Sequence, residues 1–414
     1  KKQFNTVIFN CTCVSIPLFL KFIQMNIILY DGAVRNQLLP FTYTRPVCEL
    51  RIGILTIKEK WELFLGTTAT ILTEAYLEEK FPMLELEQNV FVDAAVLPTP
   101  SLAAQIKSLK QNQLLARGEE VIAFYTMESQ DAVDFDLYEV VECRAPLVRL
   151  EGLTCLYAKN DWALRADFEL LTEGSNSQTI SKTNRVLCPE NIYIEEGAVV
   201  EYATLNASSG PIYIGKDAVV MENTSIRGPF SLGEQSVLKM GTTLYGATTI
   251  GPKCTVGGEV KNSVIFENSN KSHHGYLGNS VIGAWCNLGA GTSVSNMKNT
   301  LSEVFLWNGA TAELEPTGEQ FCGSFIGDHC TTAIHTAFNT GTVVGVCANI
   351  FGGGTPEKSH PSFSWGTGDQ QQSFQLEKAK EIAAKMYALK KEVFTEVDAR
   401  ILEAVYKTLK NPSL

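Results

Sequence analysis

Eight aliphatic residues at an unbroken spacing of six limit what this chain can fold into: Ile214, Val220, Ile226, Leu232, Leu238, Leu244, Ile250 and Val256. Glycine directly follows four of them (Gly215, Gly233, Gly251, Gly257). Four residues on, most positions are small (Ala218, Thr224, Ser236, Thr242, Thr248, Cys254), with Phe230 and Val260 the bulkier members. A period of six fits neither the 3.6 of a helix nor the 2.0 of one long strand. It is the repeat of a hexapeptide β-helix, whose coils are short flat strands joined by turns. Each aliphatic residue then points into a narrow prism, the small residue fits near its corner, and glycine eases the turn.

Read outward from the ladder, the solenoid is expected from Ile192 to about Gly354. The register resumes at Ile282, Leu288 and Val294, and again at Ile326, Phe338, Val344 and Ile350. The stretches around 263–276 and 296–325 read as interruptions, and in repeat proteins insertions often carry the binding site. Residues 25–185 alternate strand and helix patterns: strands at 26–30, 69–72, 90–92 and 121–125, helices at 57–65 and 101–116. A closing helix at 160–171 has Asp161 as its N-cap. That alternation predicts an α/β layer with a mostly parallel sheet. The expected organisation is an extension that is not part of the fold (1–24), an α/β domain (25–185), a left-handed parallel β-helix (186–366) and an amphipathic helical tail (367–414).

Net charge is −11 without a dense Lys/Arg run, which argues against a nucleic-acid-binding surface. Eleven scattered cysteines, an odd number, read as reduced thiols in a cytoplasmic protein. No apolar run reaches the ~18 residues of a spanning helix, so no membrane role is expected.

The chemistry concentrates at 268–278, where His273 and His274 stand with Lys271, Tyr276 and two glycines. Histidine ordinarily titrates near neutrality, which suits general-base work. A solvated polar loop would have the same composition. The segment from Val260 to Asn296 adds detail: it follows Glu259 and contains Lys261, His273 with Tyr276-Leu-Gly278, Asn287-Leu-Gly-Ala-Gly-Thr292 and Asn296. It resembles the acetyltransferase domain of bifunctional UDP-N-acetylglucosamine pyrophosphorylase/glucosamine-1-phosphate acetyltransferases. The resemblance implies that His273 is the general base that activates the glucosamine amine to attack the acetyl-CoA thioester. Lys261, Tyr276 and Asn287 would hold the sugar phosphate with Glu259 nearby, and Ala290 and Asn296 would contact coenzyme A. The family's Arg-Pro-Gly motif one coil earlier is replaced here by Leu244-Tyr-Gly-Ala247. Arg227 or Lys271 is the expected substitute for its phosphate ligand. His329 and His335, six apart, are expected to stack on successive rungs. A metal site there lacks a third histidine in register, which favours a cofactor-side or structural role.

An α/β domain ahead of such a solenoid resembles a divergent sugar nucleotidyltransferase branch, through Arg45-Pro46 and Leu50-Arg-Ile-Gly53. Its usual Gly-x-Gly-Thr-Arg loop is missing. Asp31, Arg35, Arg45 and Arg51 are the candidate nucleotide-binding residues, the arginines forming a triphosphate clamp. The rival is that they pair with acidic neighbours. Asp93 is the candidate Mg²⁺ ligand, by analogy with the family's aspartate after a central strand. The rival is that it caps the next turn.

The combined expectation is a homotrimeric sugar-nucleotide enzyme with sugar-1-phosphate, nucleoside triphosphate and acetyl-CoA as partners. It would acetylate glucosamine-1-phosphate or a related amino-sugar phosphate and transfer a nucleotidyl group from UTP or dTTP. Three rivals stay open: a nucleotidyltransferase of the thymidylyl or guanylyl type with the solenoid as scaffold, an acetyltransferase whose first domain is a non-catalytic nucleotide-sugar sensor, and a non-enzymatic regulatory or assembly module.

Overall fold

The structure, a computed structural model, describes residues 26–127, 133–309, 311, 313–354 and 356–410. The extension at 1–24 lies outside them. The first domain is built on β1 (Asn26–Tyr30), α1 (Ile57–Leu65), β2 (Ala69–Leu72), β3 (Asn89–Asp93), β4 (Val96–Leu97), α2 (Pro100–Lys107), β5 (Gln113–Arg117), β6 (Glu120–Thr126), β7 (Glu139–Glu142), β8 (Val148–Arg149), α3 (Cys155–Ala158) and α4 (Asn160–Thr172). Its sheet runs β2-β1-β3-β6-β5-β7. β1 is parallel to β2 and β3, but β6 pairs antiparallel with both β3 and β5. β5 in turn is parallel to β7, so five of the six strands run the same way and β6 alone is reversed: the sheet is mostly parallel, as expected.

Local sequence explains most of these boundaries. α1 opens with a reciprocal capping box, Thr56 and Glu59, and stops at Gly66 with φ 73°. The helix expected at 101–116 ends at Lys107. Asn112 turns the chain in the left-handed region (φ 57°), and 113–117 becomes a strand that sinks Leu114 and Leu115 into the sheet. α4 starts at Asn160, so Asp161 is no cap; it lies in the first turn and pairs with Arg165.

The second domain is a left-handed parallel β-helix with three faces. The first face has nine strands, from Ile192–Ile194 to Ser359–His360. The second runs from Val199–Val200 to Ser364–Trp365, with Gln372–Ser373 added antiparallel at its end. The third has six strands, from Arg185–Leu187 to Tyr276–Gly278, and is extended by the pair Ser293–Val294 and Ala337–Phe338. The ladder residues line the interior, all eight nearly inaccessible.

The stretch at 263–276 is no insertion. Strands Val264–Ile265, Asn270–Lys271 and Tyr276–Gly278 pair in register with the coils on both sides. Ile265, Lys271 and Leu277 occupy ladder positions; the period is masked by a shortened corner at Gly257 and Gly258 and by a lysine where an aliphatic residue belongs.

The second interruption does leave the solenoid, but as a hairpin, Phe305–Asn308 with Glu313–Pro316. Its Leu306 and the preceding Val304 enter a core shared with the first domain. Asn308 Nδ2 donates to Gln37 Oε1 at 2.9 Å. The tail forms α5 (Leu376–Leu389) and α6 (Glu396–Lys410). Tyr387 of α5 stacks on Trp285 at 3.6 Å between centroids, and Lys80 and Glu79 of the first domain pair with Asp398 and Arg400 of α6. First domain, solenoid and tail thus share one continuous apolar junction.

Candidate active site

The solenoid edge between the second and third faces carries the candidate catalytic group. Strand Asn270–Lys271 ends on the second face, residues 272–275 turn the corner, and Tyr276 opens the third. His273 sits on that corner, exposed. The coil before it crosses the same corner with only Gly257 and Gly258, where its neighbours use four residues. This leaves a notch beside the histidine. Gly258 has φ +78°, and a Cβ there would stand 2.9 Å from both the His273 carbonyl oxygen and His274 Cα, so the close approach of the two coils requires glycine.

Around the edge, on the third face, parallel register stacks Tyr276 on Glu259, and Lys261 on Tyr245. Glu259 Oε1 accepts from the Tyr245 hydroxyl at 2.5 Å; that bond, with some burial, pushes the phenol up to about 12. The Lys261 ammonium lies between two rings, 5.8 Å from Tyr245 and 5.7 Å from Phe321. Asn296 Nδ2 donates to Tyr276 Oη at 3.1 Å and to Asn279 Oδ1 at 2.8 Å. Burial raises the Tyr276 hydroxyl above its ordinary value. Glu259, Lys261, Tyr276 and Asn296 are thus brought together on one face. Ala290 lies on the histidine's own edge, one coil on, where its carbonyl accepts from His335 N at 2.7 Å. Asn287 stands apart: it is exposed on the second face, paired with Asn270 and Thr331.

Tyr245 and Phe321 escaped the sequence reading. Tyr245 sits in the motif where the expected arginine is missing, and the parallel register is what sets it beside Lys261. Phe321 had no local signal, because it returns from the hairpin excursion and its carbonyl is held by the Tyr157 hydroxyl of α3 at 3.1 Å. Of the two proposed phosphate ligands, Arg227 is exposed on the third face, one rung beyond Tyr245. Lys271 is excluded from that role: it is 3% exposed, with Nζ turned to backbone oxygens. His329 and His335 do not share a face. Six residues advance the chain by one side of the prism, so His329 falls beside Trp285 and Tyr387, while His335 falls near His274, 6.3 Å between rings.

In the first domain, β1 lies between β2 and β3, so the strand order reverses at its carboxyl end, where open α/β sheets place ligands. A cleft of about 400 Å³ opens there, lined by Asp31, Gly32, Arg35, Asn36, Thr73 and Glu74 among others. Its arginine is paired with its own carboxylates, Asp31 at 2.7 Å and Glu74 at 3.6 Å. Asp31 accepts from Arg35 Nη1 (2.7 Å), Thr73 Oγ1 (2.6 Å) and Val47 N (2.7 Å), and burial still raises its pKa. Arg35 also donates to the Thr42 carbonyl and to Tyr76 Oη at 3.0 Å.

The other two arginines are elsewhere. Arg45 reaches across the junction to solenoid carboxylates, Asp328 at 2.6 Å and Glu267 at 2.8 Å. Arg51 donates to the Ile54 carbonyl at 2.5 Å and faces Glu59 at 3.8 Å. The three do not converge as a clamp. Asp93 accepts from Ala95 N at 2.8 Å and from Arg149 Nη2 at 2.7 Å, and burial raises its pKa. Both Asp93 oxygens are thus engaged, one by the main chain of the next turn and one by Arg149.

Fold and site together define an α/β nucleotidyltransferase-like domain docked on a hexapeptide β-helix. Residues 27–176 match the family model described as sugar nucleotidyl transferase, so the first domain is a domain of that family. The chain is 37% identical over 146 residues to a "Bifunctional sugar-1-phosphate nucleotidylyltransferase/acetyltransferase" of Sulfurisphaera tokodaii, covering 35% of this chain and 36% of that one. It is 33% identical over 88 residues to a "Bifunctional protein GlmU" of Methanococcus maripaludis, covering 21% of this chain and 20% of the relative. The matches therefore span about a third of the first relative's length and a fifth of the second's. Among solved structures, an Arabidopsis UDP-N-acetylglucosamine acyltransferase aligns over 56% of this chain and 92% of its own, at 16% identity and a TM-score of 0.29, too low to bear on the fold drawn from strand pairing.

Proposed function

We propose that this chain is a two-site enzyme of sugar-nucleotide synthesis. Its solenoid transfers acetyl from acetyl-CoA to the amine of glucosamine-1-phosphate or a related amino-sugar phosphate. Its first domain transfers a nucleotidyl group from UTP or dTTP to the sugar-1-phosphate and releases pyrophosphate. The observation that carries the reading is the solenoid edge: an exposed histidine above a glycine notch, beside a face on which Lys261, Glu259 and Tyr276 are stacked.

In the acetyl transfer, the neutral acceptor amine attacks the thioester carbonyl, and His273 takes the proton that its nitrogen sheds as the C–N bond forms. The C–S bond then breaks, and the thiolate leaves with the proton that the imidazole returns. Lys261 is a cation against which the acceptor phosphate is held, its ammonium kept on the face by Tyr245 and Phe321. The Tyr276 hydroxyl, already an acceptor from Asn296, orients the sugar. Ala290 and Asn296, further along the coil axis, line the approach of coenzyme A.

For the nucleotidyl half, the support is the family match and the cleft at the strand-order reversal. Asp31, Arg35 and Gly32 are its binding residues, while Arg45 and Arg51 act outside it. A homotrimer is part of the proposal. Asn287 leaves by a different face from Lys261, so a site needing both draws them from neighbouring solenoids. The nine described cysteines, all free, fit a cytoplasmic setting. Among the described residues no helix is long and apolar enough to cross a membrane.

The test is a panel of nucleoside triphosphates against sugar-1-phosphates, with thiol release from acetyl-CoA followed in parallel. Thiol release with glucosamine-1-phosphate that vanishes in His273→Ala, while pyrophosphate release persists, is the expected result. Equal thiol release from wild type and His273→Ala would sink the acetyl-transfer half.

A further inference from the structure

The interior of a β-helix is built from aliphatic side chains because nothing there can solvate a charge. On the second face the inward positions run Val220, Leu238, Val256, Lys271, Leu288, Thr332, Ile350. Lys271 is the only charged member, and it is 3% exposed. No carboxylate pairs with it among the described residues. Its ammonium donates instead to two carbonyl oxygens, Gly257 at 2.9 Å and His273 at 3.1 Å. Burial pushes it down to about 8.

A valine or leucine at 271 would pack like its neighbours above and below without that desolvation cost. The fold alone therefore gives no reason for a lysine, and its two acceptors suggest another. One belongs to the glycine corner of the preceding coil; the other is the carbonyl of the candidate base. Gly257 N also donates to the Lys271 carbonyl at 2.7 Å, so the lysine and Gly257 are tied by main chain and side chain together. Two glycines in succession make the corner below pliable, and the corner above it, at 272–275, ends in a glycine as well. A brace is therefore placed where glycines leave the backbone beside the candidate base few side chains of its own to hold it.

We propose that Lys271 is a positioning residue for His273: from inside the prism its ammonium pins the carbonyls of Gly257 and His273, locks the two stacked corners together and fixes how the imidazole faces the acceptor. The inference rests on the acetyl-transfer reading for its catalytic consequence, and on the geometry alone for the brace itself.

Lys271→Met keeps the length and apolar stem and removes the donors; Lys271→Gln retains a single shorter donor and serves as a second variant should the first not fold. Two measurements on the full chain separate brace from catalysis. Hydrogen exchange of the peptide spanning 272–276 should accelerate about tenfold or more in Lys271→Met, with the ladder strands unchanged. The kcat of acetyl transfer should fall on the order of 10- to 100-fold, with the KM for acetyl-CoA within about twofold, since a misdirected base costs rate rather than binding. The Lys271→Gln variant should lie between.

Unchanged exchange at 272–276 would overturn the brace whatever the activity does. Faster exchange with wild-type kcat would overturn the positioning role. If His273→Ala also retains full activity, the acetyl-transfer reading fails, while the exchange measurement still decides the brace.

Discussion

The cleft at the end of β1 and the solenoid edge at His273 both gather charged and polar side chains, and the chain treats them in opposite ways. In and beside the cleft the buried charges are answered internally: Asp31 by Arg35, Thr73 and a main-chain N–H, and the neighbouring Asp93 by Arg149. Arg45 leaves the cleft altogether and clamps Asp328 and Glu267 across the junction. At the solenoid edge, His273 is exposed and Lys261 has rings rather than carboxylates as neighbours. The difference teaches that a cluster of arginines in sequence is weak support for an anion site. Burial forces pairing, and a guanidinium that pairs outside the cleft, as Arg45 and Arg51 do, is not available to a ligand in it.

The largest expected effect tests the exposed side of this comparison. His273→Ala should lower acetyl transfer by roughly 10²–10⁴-fold, the range of general-base contributions, measured as thiol release. The paired side comes next. Asp328→Ala removes a carboxylate that holds Arg45, Thr44 and Ala284 N, and should cost about 3–5 kcal/mol in chemical denaturation by leaving a buried guanidinium under-paired. Arg45→Leu should likewise leave nucleotide affinity unchanged; a large loss of affinity with intact stability would return Arg45 to the nucleotide site.

A third prediction concerns pH. The Lys271 pKa drops from 10.5 to about 8 on folding because of burial. Between those values the unfolded chain binds more protons than the folded one, so stability rises with pH across the window and is level below it. Relative to Lys271→Met, the wild type should gain about 2–3 kcal/mol from about pH 8 to about pH 10.5, read from urea midpoints. Parallel curves for the two proteins would mean the lysine is not desolvated. Next, Lys261→Met should raise the KM for the sugar phosphate about tenfold with little change in kcat, the pattern of lost ground-state binding. Smallest is Arg227→Ala, one rung beyond Tyr245, with an expected change of about twofold or less in that KM, since an exposed charge at that distance is largely screened.

Part of this was legible without coordinates. The ladder announced the solenoid because an inward position recurs once per prism side, and that demand is local. The caps at Thr56 and Gly66 bound α1 for the same kind of reason. The helix expected through 116 failed where Asn112 reversed the chain, a choice made by pairing with β6 rather than by helical spacing. The apparent break at 263–276 misled most usefully. The coil continues through it, and a buried lysine disguised the period.

By itself, then, the sequence determined the solenoid, the α/β domain before it, the helical tail and the set of residues from Glu259 to Asn296 worth watching. Periodicity and capping act over a few residues, so they survive in one dimension. Only the tertiary structure decided which charges are spent on one another, that Arg45 clamps a junction, that Phe321 and Tyr245 flank Lys261, and that Lys271 points inward. Those outcomes depend on what parallel stacking and domain docking bring within hydrogen-bond reach, across separations as large as that between Arg45 and Asp328, and no local pattern encodes them.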